Sequence, residues 1–318
     1  MKNIFIGFFL FLIAIGYSQD YSKVDSLVGL YPKNFNRIED LVSKIAQDFS
    51  SDEEKSRAVF YWVSNTISYD VDFSKRIEDE KLNAYSYKTE KERLLKEKKL
   101  IFESATKAFN SKKTVCYGYA ALFLEISKKL GLECELVQGD LKSDFSQINL
   151  SIQLNHAWNV VKIKNEWKFI DCTLAAGNVS TKTNQFVFKF NDAFFLTNPE
   201  LFFLNHFPEE KKWLLLNKTK EDYIKLPVYF PDYINSNIKI ISPISGVLSN
   251  KDNKSLILNN INIEEDIVRC YLGNSNKFII LDYNENLNSY EIPLKNIQDD
   301  YLIIFVNKTP LISYKIAK

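Results

Sequence analysis

Apolar positions in the first part of the chain recur at helical spacing; after Gly131 they switch to alternation. Ile38, Leu41, Val42, Ile45 and Phe49 share one helix face within a helical stretch at 35–70. Ser50-Ser51-Asp52-Glu53 reads as a fresh helix start, with Ala58, Val59, Trp62 and Val63 on its buried face and Ile67-Ser68-Tyr69-Asp70 closing the unit. The highly charged stretch 71–110 predicts a further helix ending near Phe109-Asn110, and Val115–Leu130 another, stopped by Gly131. Cys134–Gly139 then reads as a strand. His156–Lys164 and Glu166–Asp171 read as alternating arms of a hairpin around Lys164-Asn165. From about Asp232 seven short β-rich runs follow: Ile238–Ile241, Ser255–Leu258, Val268–Leu272, Lys277–Leu281, Tyr290–Ile292, Tyr301–Val306 and Leu311–Ile316. The pattern is α+β: helices packed on an antiparallel sheet at 19–231, then a small all-β, Ig-like sandwich at 232–318.

The N-terminus stands apart. Met1-Lys2-Asn3, the apolar run Ile4–Ile15 and the small residues around Gly16-Tyr17-Ser18 have the layout of a signal peptide over 1–18. The run is shorter than the ~20 residues of a membrane span. A secreted or periplasmic protein, cleaved near Ser18 and without stable membrane insertion afterwards, is expected; an uncleaved anchor is the weaker alternative. With 41 basic against 40 acidic residues in 318, nothing favours nucleic acid or an anionic membrane surface as a partner.

Four cysteines remain in such a chain, and the surroundings of Cys116 differ from the rest. Cys134 and Cys172 read as small buried hydrophobes on strands. No paired-cysteine motif or His/Cys cluster has metal spacing, so neither metal nor cofactor is expected. Cys116 opens a predicted helix, where free backbone N–H groups and the helix dipole favour a thiolate and can hold an oxyanion. His156 and Asp171 fall near the open end of the hairpin, with offsets from its turn that make them plausible cross-strand neighbours. Singly, each residue has an ordinary structural reading. Jointly they are the parts of an activated thiol: nucleophile, base and the carboxylate that orients the base. The chain has two histidines, which makes His156 close to a forced choice of base.

These residues, in this order, resemble the transglutaminase-like superfamily, the papain-like fold with Cys-His-Asp chemistry. The match runs through Tyr61-Trp62-Val63, Ile67-x-Tyr69-Asp70, Val115-Cys116-Tyr117-Gly118-Tyr119-Ala120, His156-Ala157-Trp158-Asn159-Val160 and Trp167-x-x-Ile170-Asp171. It continues to Asn198-Pro199, His206-Phe207-Pro208 and Trp213-Leu214-Leu215-Leu216, covering about 35–230. It is similar to the branch containing the kyphoscoliosis peptidase and cytokinesis proteins. The resemblance implies Cys116 as nucleophile, His156 as general base and acid, Asp171 as its orienting residue, and a protein or peptide amide as substrate. It gives His206 a structural role, closing the domain against the sheet, and makes Trp62 and Trp158 core or cleft walls. Family members often carry Gly-Cys-Gln or Gly-Cys-Glu where this chain has Val115-Cys116-Tyr117; the resemblance leaves two readings of the aromatic, shaping the acyl pocket or drift in specificity. A peptidase is the favoured reading. The alternatives are a crosslinking transglutaminase and a non-catalytic envelope scaffold, with the sandwich as a docking site for a protein partner.

Overall fold

The computed structural model describes residues 20–80, 88–180 and 182–317; the signal peptide expected at 1–18 lies outside the described residues. Helices α1 (Ser22–Gly29), α2 (Ile38–Asp48) and α3 (Asp52–Thr66) open the chain. The predicted start of α3 is a reciprocal cap: Ser51 Oγ accepts Glu54 N–H at 3.3 Å, and Glu54 Oε2 accepts Ser51 N–H at 3.4 Å. The short strand β1 (Ser68–Tyr69) follows, then α4 (Val71–Glu80), α5 (Glu90–Ser111), strand β2 (Lys113–Thr114) and α6 (Cys116–Lys129). Two helices thus occupy the charged stretch where one was expected. Gly131, at φ +80°, ends α6 in the left-handed conformation that glycine adopts without strain.

The first unit closes on a five-stranded antiparallel sheet. It comprises β3 (Cys134–Leu141), β4 (His156–Ile163), β5 (Glu166–Ile170), β8 (Phe195–Thr197) and β9 (His206–Pro208), in the order β8-β5-β4-β3-β9. Between β5 and β8 lie α7 (Cys172–Ala176) and the small hairpin β6 (Gly177–Val179) and β7 (Phe186–Phe188); α8 (Pro199–Phe202) precedes β9. The turn between β4 and β5 forms at Lys164-Asn165, both at positive φ (50° and 67°), the two-residue geometry matched to strand twist. Alternation was expected on both arms, but β4 is buried from His156 through Val161. Both its faces are covered. Asn159 Nδ2 donates to Ala120 O on α6 at 3.0 Å, while the Trp158 ring meets Phe202 and His206.

The chain then runs through α9 (Lys220–Ile224), β10 (Val228–Tyr229) and α10 (Pro231–Ile234) into a C-terminal β unit. Its strands are β11 (Lys239–Ser242), β12 (Val247–Ser249), β13 (Lys254–Asn259), β14 (Val268–Leu272), β15 (Lys277–Ile280), β16 (Tyr283–Asn284), β17 (Ser289–Ile292), β18 (Tyr301–Val306) and β19 (Thr309–Ala317). They form two sheets, β10-β19-β18-β14-β15 with β12 also on β19, and β11-β13-β17-β16. All seven predicted runs are strands. The two-residue β16 and the parallel β12, which pairs Val247 with Lys315, carry too little periodicity to be read locally. Among the described residues no helix is long and apolar enough to cross a membrane.

Candidate active site

Cys116 is the first residue of α6, and the chain leading to it is fixed by the parallel pairing of β1 with β2 (Tyr69 opposite Thr114). Gly118 allows the helix to start this close to the strand: a Cβ there would stand 2.0 Å from Thr114 Oγ1. Val115, the residue before the helix, is extended, and no side chain caps the first turn. The positive end of the helix dipole is therefore directed at the thiol region without a competing side-chain acceptor. Cys116 is half-buried, whereas Cys134, Cys172 and Cys270 are buried; all four thiols are free. Burial pushes the Cys134 and Cys172 thiols well up, and that of Cys270 to about 11. Cys172 was expected on a strand but begins α7, because Asp171 before it caps that helix.

His156 opens β4 opposite Gly139 of β3. The expected cross-strand pairing with Asp171 takes a different form. The β4–β5 ladder ends with Asn159 opposite Ile170, and Asp171 has already left the strand as the N-cap of α7. Its Oδ1 accepts Thr173 N–H at 2.8 Å and Leu174 N–H at 3.0 Å, which turns Oδ2 back toward His156 Nε2, 2.7 Å away. With Nε2 engaged by the carboxylate, Nδ1 is the nitrogen left for Cys116, which lies beside the ring on the same cavity. The structure thus brings Cys116, His156 and Asp171 together, by a helix cap rather than by strand register.

The electrostatics follow from burial and these contacts. Burial disfavours the His156 cation, but the charge and hydrogen bond of Asp171, with Cys116 beside it, outweigh this and push the ring up to about 10. Burial opposes ionisation of Asp171 as well; His156 and then His206 overcome it and hold the carboxyl well below its usual range. His206 shows the other balance. Burial dominates and holds it down at about 4 despite the carboxylate.

His206 is the site residue whose role the sequence missed. Its Nε2 lies 3.1 Å from Asp171 Oδ2, so one carboxylate oxygen faces two imidazoles. The available signal was scarcity: both histidines of the chain converge on one acid. His156, Asp171 and His206 are also the group, among the described residues, whose ligand-type atoms come within 4.8 Å of one another as a metal site would require. Their 2.7 and 3.1 Å separations are hydrogen-bond distances, and hydrogen bonding accounts for the convergence.

A cavity of about 500 Å³ opens over Cys116 and His156, walled by Tyr69, Leu141, Leu174, Val179, Phe186 and Pro231, with Ser143, Asn155 and Asn178 as polar spots. The β6–β7 hairpin supplies Val179 and Phe186, which the sequence did not single out. Tyr69 lies on this wall as a rim residue, whereas Asp70 faces a second cavity and pairs with Lys113 at 3.2 Å. Tyr117 also lines that second cavity rather than the one over the thiol, because helix geometry turns successive side chains by about 100°. Its expected part in shaping the acyl pocket is corrected accordingly. Trp62 is a core residue, donating to Pro32 O at 3.1 Å, and Trp158 stacks beside His156 at 6.1 Å.

With this geometry in place, the comparisons agree with the sequence resemblance. The family model described as Transglutaminase-like superfamily matches residues 39–172. The kyphoscoliosis peptidase of Mus musculus is 34% identical over 181 residues, 56% of this chain and 24% of that protein. Its Homo sapiens counterpart is 33% identical over the same shares. Cytokinesis protein 3 of Saccharomyces cerevisiae is 28% identical over 158 residues, 48% of this chain and 17% of that protein. The chain thus matches a quarter or less of the length of these relatives. Residues 39–172, which contain Cys116, His156 and Asp171, form a transglutaminase-like domain.

Proposed function

We propose that the protein is an exported cysteine hydrolase that cleaves peptide or protein amides through Cys116, His156 and Asp171. One observation carries the reading: a half-buried thiol at an uncapped helix N-terminus stands beside a histidine whose Nε2 is held by a buried carboxylate. In the first step Cys116 Sγ attacks the amide carbonyl as thiolate, its proton held on His156, and the oxyanion takes the Cys116 backbone N–H. The C–N bond then breaks as His156 Nδ1 gives its proton to the leaving amine, and a thioester remains on Sγ. Water attacks the thioester while His156 takes one of its protons; the C–S bond breaks, releasing the acid and restoring the pair.

Water rather than a lysine amine is favoured as the second nucleophile. No carboxylate is among the described residues lining the cavity over the thiol, and the His156 cation stands beside it, so nothing there recruits an ammonium group. Similarity to proteins named as peptidases supports the same choice. Incubation of the exported protein with a pool of casein peptides tests it. New peptide N-termini should accumulate with the native protein and not with Cys116→Ala. Crosslinks or amine incorporation without new N-termini would make the protein a transamidase instead. Export rests on the run Ile4–Ile15. N-terminal sequencing of recovered protein should begin near Gln19, and an intact Met1 in the cytoplasmic fraction would overturn it.

A further inference from the structure

Asp171 carries a second imidazole that the reaction above leaves unused. His206 is placed by the pairing of β9 on β3, opposite Leu141. Phe202 stacks on its ring at 3.8 Å and 11° between planes, and Trp158 meets it edge-on at 5.1 Å. The side chain is 0% exposed. Packing alone would be served by a purely apolar ring; a buried imidazole is costly unless its nitrogens have partners. Both have them: Asp171 Oδ2 for Nε2, and Asn205 Oδ1, 2.7 Å from Nδ1. Asn205 is itself fixed, since its carbonyl accepts Lys142 N–H at 2.9 Å and Tyr223 O–H at 3.0 Å.

We propose that His206 is a positioning residue: as a neutral ring it donates Nε2–H to Asp171 Oδ2, locking the carboxylate and limiting its pull on the proton of His156. The catalytic meaning of this role rests on the acyl-transfer reading above; the hydrogen bond does not. A neutral imidazole has one N–H, and the charged acceptor claims it. Nδ1 then accepts, and the Asn205 amide makes a half-turn that brings its NH₂ to the ring in place of Oδ1, giving up only the long 3.5 Å bond from Nδ2 to Tyr229 O. With two backbone donors on Oδ1 and two ring donors on Oδ2, the carboxylate has no freedom to rotate. An oxygen that serves two donors binds each less strongly, so His156 gives up its proton to a leaving amine more readily than if it held Asp171 alone. Burial and the neighbouring His156 cation keep His206 uncharged, which prevents two imidazolium rings from competing for one acid. The other ionisable groups on the adjacent strand are engaged elsewhere. Asp140 accepts Tyr223 O–H at 2.9 Å, and Lys142 Nζ donates to the carbonyls of Tyr223 and Leu226.

Because the chain has two histidines, nitrogen-15 NMR of tag-free protein reads both rings, assigned by single substitution. At neutral pH one ring, His156, should be doubly protonated and the other, His206, protonated at Nε2 alone. His206→Phe keeps the aromatic stack and removes the donor. It should raise the titration midpoint of His156 by about half a unit or more, move the upper limb of Cys116 alkylation against pH with it, and lower turnover about 10- to 100-fold. His206→Gln, which keeps an N–H within reach of Oδ2, should stay close to the native protein in all three. A proton found on Nδ1 of His206 overturns the proposal. So does a folded His206→Phe protein whose His156 titration and alkylation profile coincide with the native ones. If His206→Phe does not fold, the native spectrum and His206→Gln still decide. Alkylation needs no substrate, so a native alkylation profile without turnover would count against the hydrolase and leave His206 standing.

Discussion

Beneath the surface of the helix-and-sheet unit lie Arg57, Asp140, Lys142, His156, Asn159, Asp171, Asn205 and His206; beneath that of the C-terminal β unit the buried polar residues, among those described, are Ser289, Asp299 and Ser313. A buried charge survives only where neighbouring groups answer it, so the first interior required a connected set of partners, whereas in the second Asp299 is answered locally by Ser275 N–H and Oγ–H at 2.7 and 3.2 Å. Asp171 shows the requirement met in full, with a donor for every acceptor direction. In the β unit Leu302, Ile304, Leu311 and Ile312 are wholly buried on paired strands, where packing alone explains their choice. The same division separates the cysteines. Cys270 is enclosed within a sheet and its thiol pushed up to about 11, whereas Cys116 stands half-open beside an imidazole. Polar burial therefore marks the unit that holds the candidate site.

The comparison is sharpest if substitutions in the two units separate rate from stability. Cys116→Ala should lower amide turnover by about 10⁴-fold or more with the melting curve nearly unchanged, while Cys270→Ala leaves turnover alone. Equal effects of the two on turnover would remove the distinction. Next in size, Asp25→Ala leaves Arg57 buried without the two hydrogen bonds of 2.7 and 2.6 Å that it makes to Asp25. The expected loss in denaturant unfolding is about 3 kcal/mol, at the low end for a broken buried pair, because Asp192 still answers part of the guanidinium charge. Ile304→Ala, at a fully buried position of the β unit, should cost about 2–5 kcal/mol through a cavity, with kcat/KM per folded molecule unchanged.

A smaller effect is expected at the cleft wall. Phe186→Lys should lower kcat/KM for peptides bearing an apolar side chain beside the cleaved amide about 10- to 100-fold, and less for acidic ones. An unchanged ratio of the two would remove Phe186 from the specificity surface. The gentlest test is pH. His156 rises from 6.5 to about 10 on folding, so its contribution to stability is complete below 6.5, declines between 6.5 and about 10, and is gone above. Denaturation midpoints over that interval should show a falling component that His156→Gln removes; a slope unchanged by this substitution would mean that the ring is not held as a cation.

How far local reading reached can be judged element by element. The helix start at Ser50-Ser51-Asp52-Glu53, the helical face of α2, the two-residue turn at Lys164-Asn165 and the helix opening at Cys116 all depend on neighbours within a few positions, and all were legible. Alternation was misread on β4, because a strand covered on both faces loses the signal that distinguishes one face from the other. Tyr117 was misplaced for a similar reason: adjacency to Cys116 in the chain says little about direction once a helix has begun. His206 was assigned to packing, and it does pack on Phe202; what the sequence did not disclose was that its other edge meets Asp171, 35 residues earlier.

The sequence by itself determined the alternation of elements, the residues available for thiol chemistry and, through ordered motifs, the resemblance to a transglutaminase-like domain. These are set by backbone propensity, capping and periodicity, which act over single turns and strand pairs. Only the tertiary structure decided that Asp171 leaves its strand to cap a helix, that the β6–β7 hairpin walls the cleft, and that both histidines share one carboxylate oxygen. Each of these needs segments distant in the chain to be brought to a common point by strand register and close packing, and no local rule carries that information.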